Sequence, residues 1–309
     1  MNQGWLYRDQ VGPADAGITL LAYYAQRYRH SSQQDWQERI EQGQVLVDGQ
    51  MASVEWRLHP GQQLTYCRPP WQELSVPLDF TVWYEDADVL VVNKPAGLPV
   101  LPGGGFLEHT LLRQLQQRYP QDTPVPIHRL GRGTSGLMLL ARSPLARAHL
   151  SQQMRQGHIR KIYRALVANG PIPDPFSIQQ PIGKLPYPGL GYLYGATPTG
   201  RFAHSQGRVL NRTATTALLE VEIFTGRPHQ IRIHLAALGH PLLGDPLYPI
   251  GGIPCPYPVD AGQKEPVPGD CGYYLHAYQL TFTHPQTHEE RIVTCPVPTD
   301  WSPLLSHIN

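Results

Sequence analysis

Hydrophobic positions recur at helical spacing early in the chain: Ile18, Leu21, Ala22 and Ala25 predict a first helix. Ser32, with Asp35 three residues on, forms a capping-box pattern ahead of a second helix that carries Trp36 and Ile40 and stops near Gly43. Val45-Leu46-Val47 then runs into Asp48-Gly49, a hairpin signal, and Leu64-Thr65-Tyr66 supplies a later strand. Arg68-Pro69-Pro70 reads as a stiff linker. Residues 1–70 are therefore expected to form a small domain and 71–309 a large one.

Past the linker the periods alternate irregularly. Phe80 to Tyr84 and Val89 to Val92 read as strands around the turn Asp86-Ala87-Asp88, and Leu111, Leu112, Leu115 and Tyr119 mark a helix ended by Pro120. Leu137 to Leu140 reads as a buried strand, and Ser143-Pro144 opens a helix running through Leu150 and Met154 to Gly157. Ile159 to Val167, Leu218 to Phe224, Tyr274 to Phe282 and Ile292-Val293 are further strands, and Ile231, Leu235 and Leu238 form a helix face closed by Gly239. Without βαβα regularity, this predicts an α+β fold around a mostly antiparallel central sheet flanked by helices. Residues 181–200 and 249–269, dense in Gly and Pro, are predicted to be long surface loops.

Composition narrows the class. With 309 residues, 41% of them hydrophobic, the chain can build a real core, which excludes a disordered protein. No 18-residue apolar run predicts a membrane span, and the start shows no secretory leader. Four scattered cysteines without a C-x-x-C pair fit a reducing, cytoplasmic compartment; a monomer is expected.

The net charge of +1 conceals segregation. Between Thr123 and Leu219 lie twelve Lys or Arg and one acid, Asp174, leaving thirteen basic and twenty-three acidic residues elsewhere. A basic middle third attracts polyanions even in a near-neutral molecule, though the same arginines could stand solvated on scattered faces.

Several motifs carry candidate chemistry. Gly131 to Gly136, GRGTSG, spells G-x-G-x-x-G, but it leads into the strand-like run at Leu137 and no acid follows before Asp174. That excludes a dinucleotide fingerprint and leaves a tight turn able to offer N–H groups to an anion. His229, His234 and His240 lack a fourth ligand and are flanked by Arg227 and Arg232, so no metal is expected there. Thr225-Gly226-Arg227-Pro228-His229-Gln230, between a strand and a helix, suits a carboxylate or phosphate; it also reads as an ordinary connection. Tyr163, flanked by Arg160, Lys161 and Arg164, reads either as a core residue or as a stacking platform for a base.

In order, YEDADVLVVNKPAGL from Tyr84, PIHRLGRGTSGLMLLAR from Pro126, KIYRALV from Lys161, TGRPHQIRIHLAALGHPLLGDPLY from Thr225 and LHAYQLTFTHP from Leu275 resemble the RluA family of RNA pseudouridine synthases. The first sixty-odd residues resemble an S4 domain, a small α/β RNA-binding module. The resemblance implies a pseudouridine-synthase-like fold and isomerisation of uridine in ribosomal or transfer RNA without metal or cofactor. The N1–C1′ bond breaks, uracil turns, and C5 joins C1′. It implies a catalytic aspartate at position 131, which here is Gly131, with Tyr163 against the base and Arg227 as the aspartate's partner. RNA contacts are expected from Arg129, Arg132, Thr134, Ser135, Arg160, Lys161, Arg164, His229, Gln230 and Arg232. Arg129, Tyr163 and Arg227 are expected to line one hollow.

Glycine offers neither nucleophile nor base. If the carboxylate is essential, either Asp245, Asp86 or Asp88 replaces it, or the pocket is wet, or an RNA phosphate takes its place. Three readings follow: an active synthase with a relocated acid or a modified mechanism, a catalytically silent RNA-binding relative, or a scaffold for protein interactions.

Overall fold

A computed structural model of the protein describes residues 1–29, 31–188, 190–255 and 271–305. The chain divides into two compact units, residues 1–73 with 186–192, and residues 74–185 with 193–309.

In the first unit, β1 (Trp5–Gln10) pairs antiparallel with β4 (Gln63–Arg68), which pairs with β2 (Val45–Val47), and β2 turns through Asp48-Gly49 into β3 (Gln50–Met51). Helix α1 (Leu20–Arg27) is capped by Thr19, and α2 (Gln33–Glu41) carries the expected reciprocal Ser32–Asp35 box. These helices bury Leu20, Tyr23, Tyr24, Trp36 and Ile40 against Val45, Val47 and Leu64. Strand β1 escaped the sequence reading because most of its residues are exposed, so no apolar alternation marks it.

The second unit is built on a ten-stranded mixed sheet. Its elements in chain order are β5 (Thr81–Glu85), β6 (Val89–Lys94), α3 (Leu111–Arg118), β7 (Val125–Pro126), β8 (Ser135–Ala141) and α4 (Pro144–Gln156). Then come β9 (Arg160–Ala168), β10 (Phe176–Ile178), β11 (Ile182–Tyr187) and β12 (Gly191–Ala196), of which residues 186, 187, 191 and 192 are grouped with the first unit, then β13 (Ser205–Arg212), β14 (Thr216–Ile223), α5 (Gln230–Ala237), β15 (Leu275–Thr283) and β16 (Glu290–Thr294). The sheet order is β10-β13-β14-β9-β15-β8-β6-β5, with β16 on β15 and β7 on β8. All of these pairings are antiparallel except β15 with β8, which is parallel. In β6 and β8 alternate residues serve opposite faces: Leu90, Val92, Met138 and Leu140 join one core, Val89, Val91, Leu137 and Leu139 another.

Residues 181–200 are not one loop as expected; β11 and β12 form a two-stranded ribbon, Gly and Pro notwithstanding. Of the second expected loop, residues 256–269 lie outside the described residues. No helix among the described residues is long and apolar enough to cross a membrane.

Candidate active site

The GRGTSG segment enters β8 through a turn in which Thr134 N donates to the Gly131 carbonyl at 3.1 Å. Two buried groups hold the turn from β15 and the residues just before it. Thr134 Oγ1 lies 3.3 Å from the Tyr273 hydroxyl, and Ser135 Oγ lies 2.9 Å from His276 Nδ1. Gly136, at φ +106°, packs directly on the Ala277 backbone where β8 and β15 run parallel, which excludes any side chain there.

Lys94 clamps the turn from the other side. Its amine donates to the carbonyls of Pro95 at 2.8 Å, Leu98 at 2.9 Å and Arg132 at 3.1 Å, while Gly97 N also donates to the Arg132 carbonyl at 2.8 Å. Burial pushes Lys94 down to about 7, and the three carbonyls match the three protons of the ammonium form. A cavity of about 490 Å³ beside the turn is lined by Lys94, Gly133, Ser135, Tyr273 and Trp301, among others. Its lining holds none of Arg129, Tyr163 and Arg227.

Helix α5 supplies the charged part. Arg232 is 3% exposed, and its Nε and Nη2 each donate to Asp245 at 2.7 Å. Asp245 also accepts from the backbone N–H of Leu247 at 2.9 Å and Tyr248 at 3.2 Å. The guanidinium lies 4.3 Å from the Tyr273 ring centroid and 4.9 Å from that of Tyr248, while Nη1 has no hydrogen-bond partner among the described residues. Tyr273, whose phenol burial pushes above its ordinary pKa, reaches back to the turn. Its hydroxyl stands 3.0 Å from where a β-carbon on Gly131 would lie. Gly131, Tyr273, Arg232 and Asp245 thus form one continuous chain of contacts.

His229 stands at the start of α5 in the left-handed region (φ 56°), a conformation unusual for histidine. Its Nδ1 lies 2.7 Å from the Tyr248 hydroxyl, which donates its proton to the Tyr194 carbonyl, also at 2.7 Å. A phenol has one proton, so Nδ1 carries the imidazole's proton and Nε2 keeps a lone pair. Burial, with the field of Arg232, pushes His229 down to about 3, so the ring is neutral at pH 7; Arg129 acts in the same direction.

The structure sorts the expected residues. Gly131 and Arg129 are exposed, and Arg129 makes no hydrogen bond or ion pair among the described residues. Arg132 is half-buried, with its guanidinium 5.3 Å from the Phe106 ring centroid. Arg227 is not the buried arginine. Its Nε donates to the Phe202 carbonyl at 2.9 Å; the fully buried arginine of the same motif is Arg232, whose partner is Asp245. Thr134, Ser135 and Gln230, expected to contact RNA, are buried and bonded within the framework. Arg160 and Arg164 alternate with Tyr163 along β9, hence face the opposite side of the sheet, where they pair with Glu222 and Glu220 at 2.6 Å. Lys161 is buried with its amine 3.8 Å from the Met154 sulfur. Tyr163 is 7% exposed in the main core with Leu130, Ile231 and Tyr273, and its hydroxyl has no hydrogen-bond partner among the described residues. Tyr273, Tyr248 and Lys94 were not singled out from the sequence. Among the described residues no three His, Cys, Asp or Glu side chains assemble into a metal-ligand group.

Comparison with known proteins agrees with the motifs. Residues 88–237 match the family described as RNA pseudouridylate synthase. The chain is 52% identical to an uncharacterised RNA pseudouridine synthase of Synechocystis sp. over 281 residues, 91% of this chain and 94% of the relative. It is 43% identical to RNA pseudouridine synthase 5 of Oryza sativa subsp. japonica, over 96% of this chain and 88% of that one. The solved structure of human RNA pseudouridylate synthase domain containing 4 superposes with a TM-score of 0.55 at 25% identity, covering 72% of this chain and 90% of that one. With its large mixed sheet, its ordered motifs and these likenesses, the chain belongs to the RluA-like family of RNA pseudouridine synthases, isomerases that act on RNA.

Proposed function

We propose that the protein converts a uridine of ribosomal or transfer RNA to pseudouridine, the base leaving its stack and entering at Gly131. The observation that carries this reading is the Tyr273 hydroxyl beside position 131, backed on its ring by the buried Arg232–Asp245 pair. Arg129, exposed and without a partner among the described residues, serves a phosphate, and the His229 Nε2 lone pair accepts a hydrogen bond from uracil N3–H or a ribose hydroxyl. Tyr163 closes the apolar side of the site. The small N-terminal unit acts as an S4-like RNA-binding module, and the protein works as a cytoplasmic monomer without metal or cofactor.

One observation favours a second reading, RNA binding without turnover. Position 131 has no side chain, and Asp245, the carboxylate of the contact chain, is 1% exposed with both oxygens engaged. Deleting the gene in its host and mapping pseudouridine across ribosomal and transfer RNA separates the two. A lost position restored by the native chain supports turnover; an unchanged map favours the silent relative.

A further inference from the structure

Two phenylalanines lie open on the surface ahead of α5: Phe202 is 56% and Phe224 47% exposed. His204 contacts both, stacked on Phe224 with centroids 4.6 Å apart and planes 20° apart, and 6.3 Å from Phe202. The row is rigidly mounted. Phe224 N donates to the His204 carbonyl at 3.1 Å, and His204 N donates to Thr225 Oγ1 at 3.0 Å. The Gln230 amide then ties the row to the helix. Its Oε1 accepts from Thr225 Oγ1 at 2.7 Å and Arg227 N at 3.0 Å, and its Nε2 donates to the His204 carbonyl at 2.9 Å and Ser205 Oγ at 3.0 Å.

A cation stands beside these rings. Arg227 is anchored through Nε to the Phe202 carbonyl at 2.9 Å, and its other two nitrogens make no hydrogen bond among the described residues. Arg201, next to Phe202, is exposed and its side chain has no partner among them either. Exposed flat rings with free guanidinium donors alongside match one ligand chemistry: unpaired bases, which offer π-faces, joined by phosphates. A duplex keeps its base faces inside the stack and cannot use the rings.

We propose that Phe202, His204 and Phe224 stack unpaired bases flanking the target uridine, with Arg227 on the intervening phosphate, so that the protein selects looped over paired RNA. This rests on the RNA-modifying reading above. The test is fluorescence anisotropy of the full chain with a labelled hairpin carrying a uridine-containing loop, and with a fully paired duplex. A Phe202→Ala/Phe224→Ala double variant is expected to lose about tenfold or more in affinity for the hairpin, with duplex binding within about twofold of the native chain. The Phe202→Tyr/Phe224→Tyr pair, which keeps the rings, is expected to retain hairpin binding. Native-like hairpin binding by the alanine pair, or an equal loss in the tyrosine pair, overturns the stacking role. In the first case, with the native chain still modifying RNA, only this proposal fails and the row is left to a protein partner. A native chain that binds neither RNA defeats both readings.

Discussion

The Tyr273 hydroxyl stands 3.0 Å from the point where a β-carbon at residue 131 would begin, with Thr134 Oγ1 at 3.4 Å from the same point. Gly131 is not in the left-handed region, so an aspartate there requires only a shift of a few tenths of an ångström in its neighbours. Its carboxylate would start beside a phenol that already lies against Arg232. Gly131→Asp is therefore expected to raise uridine isomerisation by about a hundredfold or more, a barrier change of roughly 3 kcal/mol. Pseudouridine formed per enzyme on the target RNA is the readout, with Gly131→Ala as the steric control. A native chain already as fast as the aspartate variant would show that no carboxylate is needed at this position.

Asp245 neutralises a buried guanidinium. Removing it in Asp245→Ala leaves Arg232 charged and unpaired, at a cost of about 3–5 kcal/mol. Urea unfolding should show a lower midpoint. The double change Arg232→Met/Asp245→Leu should recover most of the loss, because it removes both charges.

Tyr163 has two separable parts, a ring in the core and a hydroxyl without a described partner. Tyr163→Phe should unfold within about 0.5 kcal/mol of the native chain, whereas Tyr163→Ala should lose about 3–5 kcal/mol through the cavity it leaves. If the hydroxyl meets the base, Tyr163→Phe also lowers turnover or uridine affinity. No change in either would assign the residue wholly to packing.

Acid should weaken the fold before its carboxylates titrate. Burial pushes His128, His234 and His276 to about 4 and His229 to about 3. His128 Nε2 accepts the Leu139 N–H at 3.1 Å, a role only the neutral ring can fill. The unfolded chain takes up these protons near pH 6.5 and the folded chain does not. Their contribution is complete above about pH 6.5 and is lost as pH falls towards 4. Thermal unfolding at constant ionic strength should show Tm dropping between pH 7.5 and 5. A flat profile in that window would mean that the rings protonate in place.

Arginine scanning should divide by face. Arg129→Ala is expected to weaken RNA binding and to reduce its salt dependence. Arg160→Ala and Arg164→Ala should change affinity less than about twofold, because Glu222 and Glu220 already hold those side chains. Equal losses at all three positions would extend the RNA footprint across both faces of the sheet.

Elements were legible where a local signal coincided with local physics. The Ser32–Asp35 box, Ser143-Pro144 and Asp48-Gly49 each specify a cap or turn within a few residues, and each is found. The β11–β12 ribbon was missed because its glycines and prolines imitate a loop. Site assembly was less legible still. Arg227 and Arg232 share one motif, and only the start of α5 at Gln230 places the first on the turn and the second inside the helix. Since every residue from Gln230 to Ala236 is buried, α5 has no polar stripe to show which arginine faces inward. Tyr273 carried no signal beyond its letter; its role comes from a contact across more than a hundred residues.

The Gln230 carboxamide is bonded both to His204 of the aromatic row and to the Arg227 backbone at the head of α5. One side chain thus serves both the seat of His204 and the turn that opens the helix carrying Arg232, so a change at residue 230 disturbs the two together.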